Sequence, residues 1–407
     1  MTRGISARAA SFTESVIREM TRRCVELHGE DAVNFAQGFP DFHAPPELID
    51  AAARAMRDGF NQYATTWGSP FLRAAIADKY TPLFGRDIDP DQEITVTCGS
   101  TEAMMAAMLG LVDPGDEVVI FSPFYENYGP DCVLSGAVPH YVTLHEPDFR
   151  IDADELRAAF NERTRAIVVN TPNNPTGKVY TRAELQLIAE LCQEHDAVAI
   201  TDEIYEHLVY DGEHVRIATL PGMADRTVTI SGISKTYSLT GWRVGWLIAP
   251  ARLTAGLRKV HDFLTVGAAH PLQVAAAAAL QLPPAYYDTL LAEYAARREA
   301  LVDGLLALGF GCQPPAGAYY VMADITGFDF ADDVAFANYM IEELGVATVP
   351  GSSFFNDPRD GAGRLRFSYP KRLETIERGL QRMQPLRERA PARSVDAPYS
   401  GSVNTRA

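Results

Sequence analysis

From residue 94 onward the chain alternates short, almost wholly apolar runs with longer stretches that place apolar residues every three or four positions. The runs are 94–98, 118–121, 166–170, 197–202, 227–230 and 244–248, and the helically spaced stretches are 101–111, 125–135, 151–160, 181–195 and 252–262. Continuous apolar runs of this length predict strands buried on both faces. Alternating with helices, they predict an α/β fold with a mostly parallel sheet between two helical layers. Ligands of such sheets sit at the carboxyl ends of the strands. Upstream, helices are predicted over 14–27, 46–57 and 71–80, the last two opened by proline, and a strand over 33–42 breaks into a Gly/Pro turn. After about residue 286 the texture changes. A charged helix over 292–308, an apolar run 318–323, a helix 331–344 and a run 365–369 predict a second, smaller α/β unit. Residues 390–407 have no periodicity and are rich in Arg, Pro, Ser and Gly, which predicts a disordered tail. The expected division is an arm (1–16), a large ligand-binding domain (47–285), a small domain (17–46 with 286–389) and the tail.

Composition narrows function more than fold. Thirty-six Lys and Arg against 53 Asp and Glu leave a net charge of −17. That speaks against a nucleic-acid partner, which needs a basic footprint, but leaves room for a local basic pocket. The five cysteines (Cys24, Cys98, Cys132, Cys192 and Cys312) are scattered and form no CxxC pair. They predict reduced thiols in a cytoplasmic protein, not a disulfide or zinc framework. The nine histidines show no metal-ligand spacing. The chain starts without an apolar signal-like segment, and the alanine-rich run 274–282 is too short to cross a bilayer, so no membrane association is expected.

Four stretches at predicted strand ends can carry chemistry. Lys235 lies in the small-residue turn Ser231-Gly232-Ile233-Ser234-Lys235-Thr236, between two apolar runs. A lysine desolvated there has a lowered pKa and attacks carbonyls as the free amine; in a surface turn it does neither. Gly99-Ser100-Thr101 ends one run and opens a helix. It is either a phosphate seat or a plain N-cap. No GxxxxGK[ST] or GxGxxG motif is present, so the usual nucleotide signatures are missing. Asn173-Asn174-Pro175-Thr176-Gly177 is a stiff, amide-rich turn. Asp202 closes a buried run, where a carboxylate is costly unless it meets a cation or strong donor, or caps a helix; Tyr205 follows three residues later. Together they describe a ligand with a phosphate (Ser100, Thr101), a protonated ring nitrogen (Asp202), a ring hydroxyl (Asn174, Tyr205) and an aldehyde (Lys235). Pyridoxal 5′-phosphate has these groups.

At this point the chain resembles a family. Gly232-Ile233-Ser234-Lys235-Thr236-Tyr237-Ser238-Leu239-Thr240-Gly241-Trp242-Arg243-Val244-Gly245 is similar to the lysine signature of class I/II aminotransferases, of fold type I. Asn173-Asn174-Pro175-Thr176-Gly177, Asp202-Glu203-Ile204-Tyr205 and Leu365-Arg366-Phe367 match that family's other landmarks in order, and the resemblance covers roughly residues 15 to 388. It implies that Lys235 holds the cofactor as an internal aldimine and then shuttles the substrate proton. Asp202 keeps the pyridine nitrogen protonated, Asn174 and Tyr205 reach the ring oxygen, and Tyr125 stacks on the ring. Arg243 and the backbone of Gly99, Ser100 and Thr101 bind the phosphate. Tyr63 resembles the tyrosine that reaches the phosphate of the other subunit, which implies a homodimer. Arg366 clamps the substrate α-carboxylate as a bidentate fork.

Two local features refine this expectation. Gly232 stands where the family often has serine, so a phosphate hydroxyl is lost and Arg243 matters more. Gln37-Gly38-Phe39-Pro40-Asp41-Phe42 resembles the branch of kynurenine, glutamine and methionine aminotransferases, with Gly38 against the substrate carboxylate; a packed turn is the alternative. No second arginine is marked for a distal carboxylate. The expected reaction therefore takes an amino group from a neutral or aromatic amino acid to a 2-oxo acid, by a ping-pong mechanism. The same landmarks serve carbon–sulfur β-lyases and other biosynthetic enzymes of this fold, and a non-catalytic binder has no use for Lys235. Tyr319 and residues 265–270 are candidates for lining the substrate pocket.

Overall fold

A computed structural model describes residues 4–389. The expected tail and the first three residues of the arm lie outside the described residues. Eight strands form one sheet in the spatial order Ile94–Thr97, Gly245–Ile248, Thr227–Gly232, Val198–Asp202, Thr164–Asn170, Glu117–Ser122, Val138–His145 and Arg150–Ile151. The pairings from Thr227–Gly232 across to Val138–His145 are parallel. Gly245–Ile248 runs antiparallel to both of its neighbours, as does Arg150–Ile151 at the edge.

Successive residues on a strand face opposite ways, and here both faces are covered. Val118, Ile120, Val168 and Ile200 pack with Met104 of helix Ser100–Leu111 and Leu257 of helix Ala251–Thr265. Val119, Ile167, Val169 and Ala199 pack with Leu185 and Ile188 of helix Arg182–Glu194. That double burial is why the runs are continuously apolar. Each buried aliphatic side chain stabilises by about 2 kcal/mol, so polar residues appear only where the strands end. Those ends lie together: Asn170 pairs with Asp202, Asp202 with Ile230, and Gly232 with Gly245, which also pairs with Thr97.

The second unit has a three-stranded antiparallel sheet, Tyr320–Asp324, Arg364–Ser368 and Val349–Pro350. Helices Val16–His28, Asp333–Glu342 and Leu373–Arg382 pack on it through Met20, Cys24, Phe336, Met340 and Ile376. The strand expected over 33–42 shrinks to Val33–Asn34, paired with Val346–Ala347, because the Gly/Pro turn follows at once. The helix expected from 125 begins at Tyr128, and the charged helix reaches back to Pro284. Strand Val138–His145 and helix His270–Leu280 were not expected. Among the described residues no helix is long and apolar enough to cross a membrane.

Candidate active site

A cavity of about 420 Å³ opens at the carboxyl edge of the large sheet. The large unit contributes Ser100, Thr101, Tyr125, Asn174, Asp202, Tyr205, Lys235 and Arg243 to its wall, and the smaller unit contributes Gly38 and Arg366. The eight from the large unit lie at strand ends or in the segments that adjoin them, where the backbone leaves the apolar layer.

Lys235 follows strand Thr227–Gly232 by three residues, and its Nζ donates to the Gly38 carbonyl at 3.2 Å. Burial, then the positive charge of Arg243, lowers its pKa to about 8 against the opposing pull of Asp202. The amine is thus partly neutral near physiological pH. Asp202 is the last residue of its strand. Its Oδ2 accepts from the Tyr128 hydroxyl at 2.8 Å and its Oδ1 from the Ile204 N–H at 3.4 Å. Burial pushes it up to about 6, although those hydrogen bonds and Lys235 favour the charged form. At neutral pH it is a buried carboxylate on a cavity wall, a partner for a cationic N–H.

Arg366 sits in the middle of strand Arg364–Ser368 and is buried. Its Nη1 donates to Asn174 Oδ1 at 3.0 Å and its Nη2 to the Ala36 carbonyl. Its guanidinium lies over the rings of Tyr320 and Phe354, 4.5 and 4.7 Å from their centroids. Its buried Nε has no hydrogen-bond partner among the described residues. The hydroxyls of Tyr205 and Tyr320 share a hydrogen bond of 2.8 Å. Gly38 is glycine for a steric reason: a Cβ there would collide with the Tyr320 hydroxyl.

At the other end, Ser100 and Thr101 open helix Ser100–Leu111 with their free backbone N–H groups. Arg243, in the left-handed region with φ 54°, donates from Nη1 to the Thr240 carbonyl at 3.0 Å and from Nη2 to Thr101 Oγ1 at 3.5 Å. Gly99, φ 81°, stands behind the wall, where a Cβ would run into the Arg243 guanidinium. Gly232 is explained by sheet packing, since a Cβ would lie 3.0 Å from the Gly245 Cα and the Val244 oxygen. Helix N–H groups, two hydroxyls and a guanidinium suit a phosphate. Together with the carboxylate and the lowered lysine, this donor set fits pyridoxal 5′-phosphate.

Other placements differ from expectation. Tyr63 is 85% exposed and does not border the cavity of its own chain. Tyr320 lines the cavity, whereas Tyr319 turns into the core and donates to the Gly38 carbonyl at 2.8 Å. The 265–270 segment packs elsewhere, with the His270 Nδ1 3.0 Å from the Gln62 carbonyl. Tyr128, Tyr320, Arg18 and Glu126 belong to the wall and were not marked in the sequence. Arg18 thus lines the cavity in addition to the expected Arg243 and Arg366, at a position the sequence did not mark.

Known proteins share this arrangement of chain. The family described as aminotransferase class I and II matches residues 30–383. A probable N-succinyldiaminopimelate aminotransferase, DapC, of Mycobacterium tuberculosis is 40% identical over 397 residues, 94% of this chain and 98% of its own. The methionine aminotransferase of Escherichia coli is 38% identical over 87% of this chain and 92% of its own. Kynurenine–oxoglutarate transaminase 3 of Mus musculus is 40% identical over 85% of this chain and 82% of its own. The solved structure of N-succinyldiaminopimelate aminotransferase from Mycobacterium tuberculosis superposes with a TM-score of 0.91 at 39% identity, covering 94% of this chain and 100% of that one. With matches of this extent, the chain belongs to the class I and II aminotransferases, enzymes of fold type I that work with pyridoxal 5′-phosphate.

Proposed function

We propose that this aminotransferase takes an amino group from a neutral or aromatic amino acid and passes it to a 2-oxo acid, both substrates using one cavity in turn. The observation that carries the reading is a lysine lowered to about 8 sharing a cavity with a buried carboxylate and a buried arginine. Ile17, Phe39, Tyr125 and Tyr320 add apolar and aromatic wall, which favours donors without charge on the side chain. The methionine and kynurenine activities named for two relatives point the same way.

Pyridoxal 5′-phosphate, when bound, supplies an aldehyde that condenses with amines and a ring that accepts electrons. Lys235 would hold it through Nζ, Asp202 would face the ring nitrogen, and Tyr125 would pack on the ring. Asn174 and Tyr205 would reach the ring oxygen. Ser100, Thr101 and Arg243 would hold the phosphate beside the Gly99 backbone, joined by Tyr63 from a second copy of the chain. Lys235 Nζ would also take the proton from the substrate Cα; a base poised near 8 suits that task. Arg366 orients the α-carboxylate, and Gly38 lets the backbone approach it. The smaller unit, 17–46 with 286–389, supplies that clamp. A homodimer in the cytoplasm is the proposed working form.

The test is direct. Purified protein should show the yellow band of lysine-bound cofactor. It should pass amino groups from methionine, kynurenine or phenylalanine to 2-oxo acids, with double-reciprocal plots that run parallel. Release of pyruvate and ammonia with no acceptor present would sink the proposal in favour of a lyase. Arg243→Ala should weaken cofactor retention at least tenfold on dialysis, since it removes a charge-assisted contact; unchanged retention would remove Arg243 from the phosphate site.

A further inference from the structure

Strands Val198–Asp202 and Thr227–Gly232 stay laddered only as far as Asp202 and Ile230, with one further bond from the Glu203 N–H to the Ile230 carbonyl at 2.8 Å. Tyr205 and Lys235 lie beyond that point. Among the described residues no backbone hydrogen bond joins segment 204–208 to segment 231–237. Side chains take over there. Glu206, one residue past Tyr205, accepts from the Ser231 hydroxyl at 3.0 Å and, on the same oxygen, from the Tyr80 hydroxyl. Its other oxygen accepts from Arg216. The next residue, His207, has its Nε2 2.7 Å from Lys79 Nζ, and the same Nζ stands 3.4 Å from the Tyr237 hydroxyl. Two bridges, Glu206–Ser231 and His207–Lys79–Tyr237, therefore span the same two segments. None of these side chains lines the cavity.

The bridges use ions where ions are costly. Glu206 is 8% exposed. Burial opposes its charge, yet Arg216 and Lys79 hold it ionised, well below the usual carboxylate range. Burial pushes His207 down to about 4, so its ring is neutral and can accept from Lys79. A buried ion set adds little net stability over an apolar core of the same volume. What it can supply here is fixed geometry, at the point where the backbone ladder gives out. We propose that Glu206 is a positioning residue: through Ser231 it ties the segment bearing Lys235 to the segment bearing Asp202 and Tyr205, and so sets the lysine amine relative to the groups that face the ring. His207, Lys79 and Tyr237 form a second strap between the same segments. This rests on the reading given above, in which Lys235, Asp202 and Tyr205 hold the cofactor.

Two hydroxyl deletions separate positioning from packing. Ser231→Ala leaves the ion set whole and cuts the tie to the lysine segment. Tyr80→Phe removes an equally buried hydroxyl from the same Glu206 oxygen, but one that belongs to helix Pro70–Phe84, outside both segments. In the cofactor-free protein, amide hydrogen exchange should speed severalfold in 203–208 and 231–237 together in Ser231→Ala, and in neither in Tyr80→Phe. In the loaded enzyme, kcat for amino transfer should fall about tenfold in Ser231→Ala, as a small misplacement of reacting groups does, while KM changes less than about twofold. Glu206→Gln, which keeps an oxygen for Ser231, should retain more of kcat than Glu206→Ala. Exchange that is unchanged in Ser231→Ala, faster to the same degree throughout the large sheet, or matched by Tyr80→Phe overturns the inference. If no donor yields amino transfer in wild type yet the two segments still loosen together in Ser231→Ala, the functional reading fails while the tie stands.

Discussion

Asp202 ends a strand that is buried throughout, and its carboxylate faces the cavity with a tyrosine hydroxyl on one oxygen. Burial raises its pKa from 3.8 to about 6. A raised acid stabilises the fold while protonated, below its unfolded value, and that contribution is lost as pH rises through about 6. At pH above 7 the cofactor-free protein therefore bears a cost of about 3 kcal/mol at this residue. Asp202→Asn should raise the cofactor-free unfolding temperature at neutral pH, lose the advantage by about pH 4, and reduce cofactor retention at least tenfold. Melting curves at the two pH values check it, and an equal difference at both would refute the linkage. Lys235, Asp202 and Asn174 were legible in the sequence because a polar residue at the end of an apolar run or just after it is conspicuous, whereas Arg366 was marked only by the family resemblance. Arg18 and Glu126 were not legible, because an arginine on a helix start and a glutamate in a loop look like ordinary surface positions. Tyr128 and Tyr320 are buried as core aromatics are, and nothing local in the sequence sets them apart from such residues.

At the level of elements, the antiparallel strand Gly245–Ile248 decides where the chemistry lies. Thr227–Gly232 runs to the carboxyl edge, the loop bearing Lys235 and Arg243 turns there, and the next strand starts from the same edge. A parallel connection would have carried Arg243 away. Strand direction is not written in apolar content, so the run 244–248 was visible but its orientation was not. Val138–His145 was missed because its first half is part-exposed, and His270–Leu280 because a row of alanines has no stripe. Pro46–Arg57 was legible to the residue, since proline marks a helix start. At Gly245 a Cβ would lie 2.6 Å from the Gly99 carbonyl carbon and the Ser100 nitrogen. Gly245→Ala should therefore destabilise the protein by about 1–3 kcal/mol and loosen the cofactor together. Urea unfolding with cofactor titration reads both, and a loss of stability with retention intact would detach this contact from the phosphate seat.

For the whole molecule, the notable surface is apolar. Tyr63 and Phe263 are 85% and 93% exposed, with Leu264 and Val266 exposed nearby. The loop bearing Tyr63 is tied to this segment, since His261 Nε2 lies 2.7 Å from the Thr66 carbonyl and His270 Nδ1 reaches Gln62. A cluster of this kind is more typical of an interface than of open surface. Sedimentation should give a dimer, and Phe263→Glu should shift it to monomer and lower cofactor retention, although Phe263 does not line the cavity that holds Lys235. A wild-type monomer that keeps the cofactor would end the dimer proposal.

The guanidinium of Arg366 is already engaged on two sides, by the Asn174 amide oxygen and the Ala36 carbonyl. An arriving carboxylate has to share or replace these contacts, so docking swaps one set of hydrogen bonds for another. Net binding strength then understates how well the pocket matches its ligand. The enzyme should hold amino acids loosely at rest and discriminate among them chiefly in turnover, so a screen by affinity alone would rank its substrates poorly.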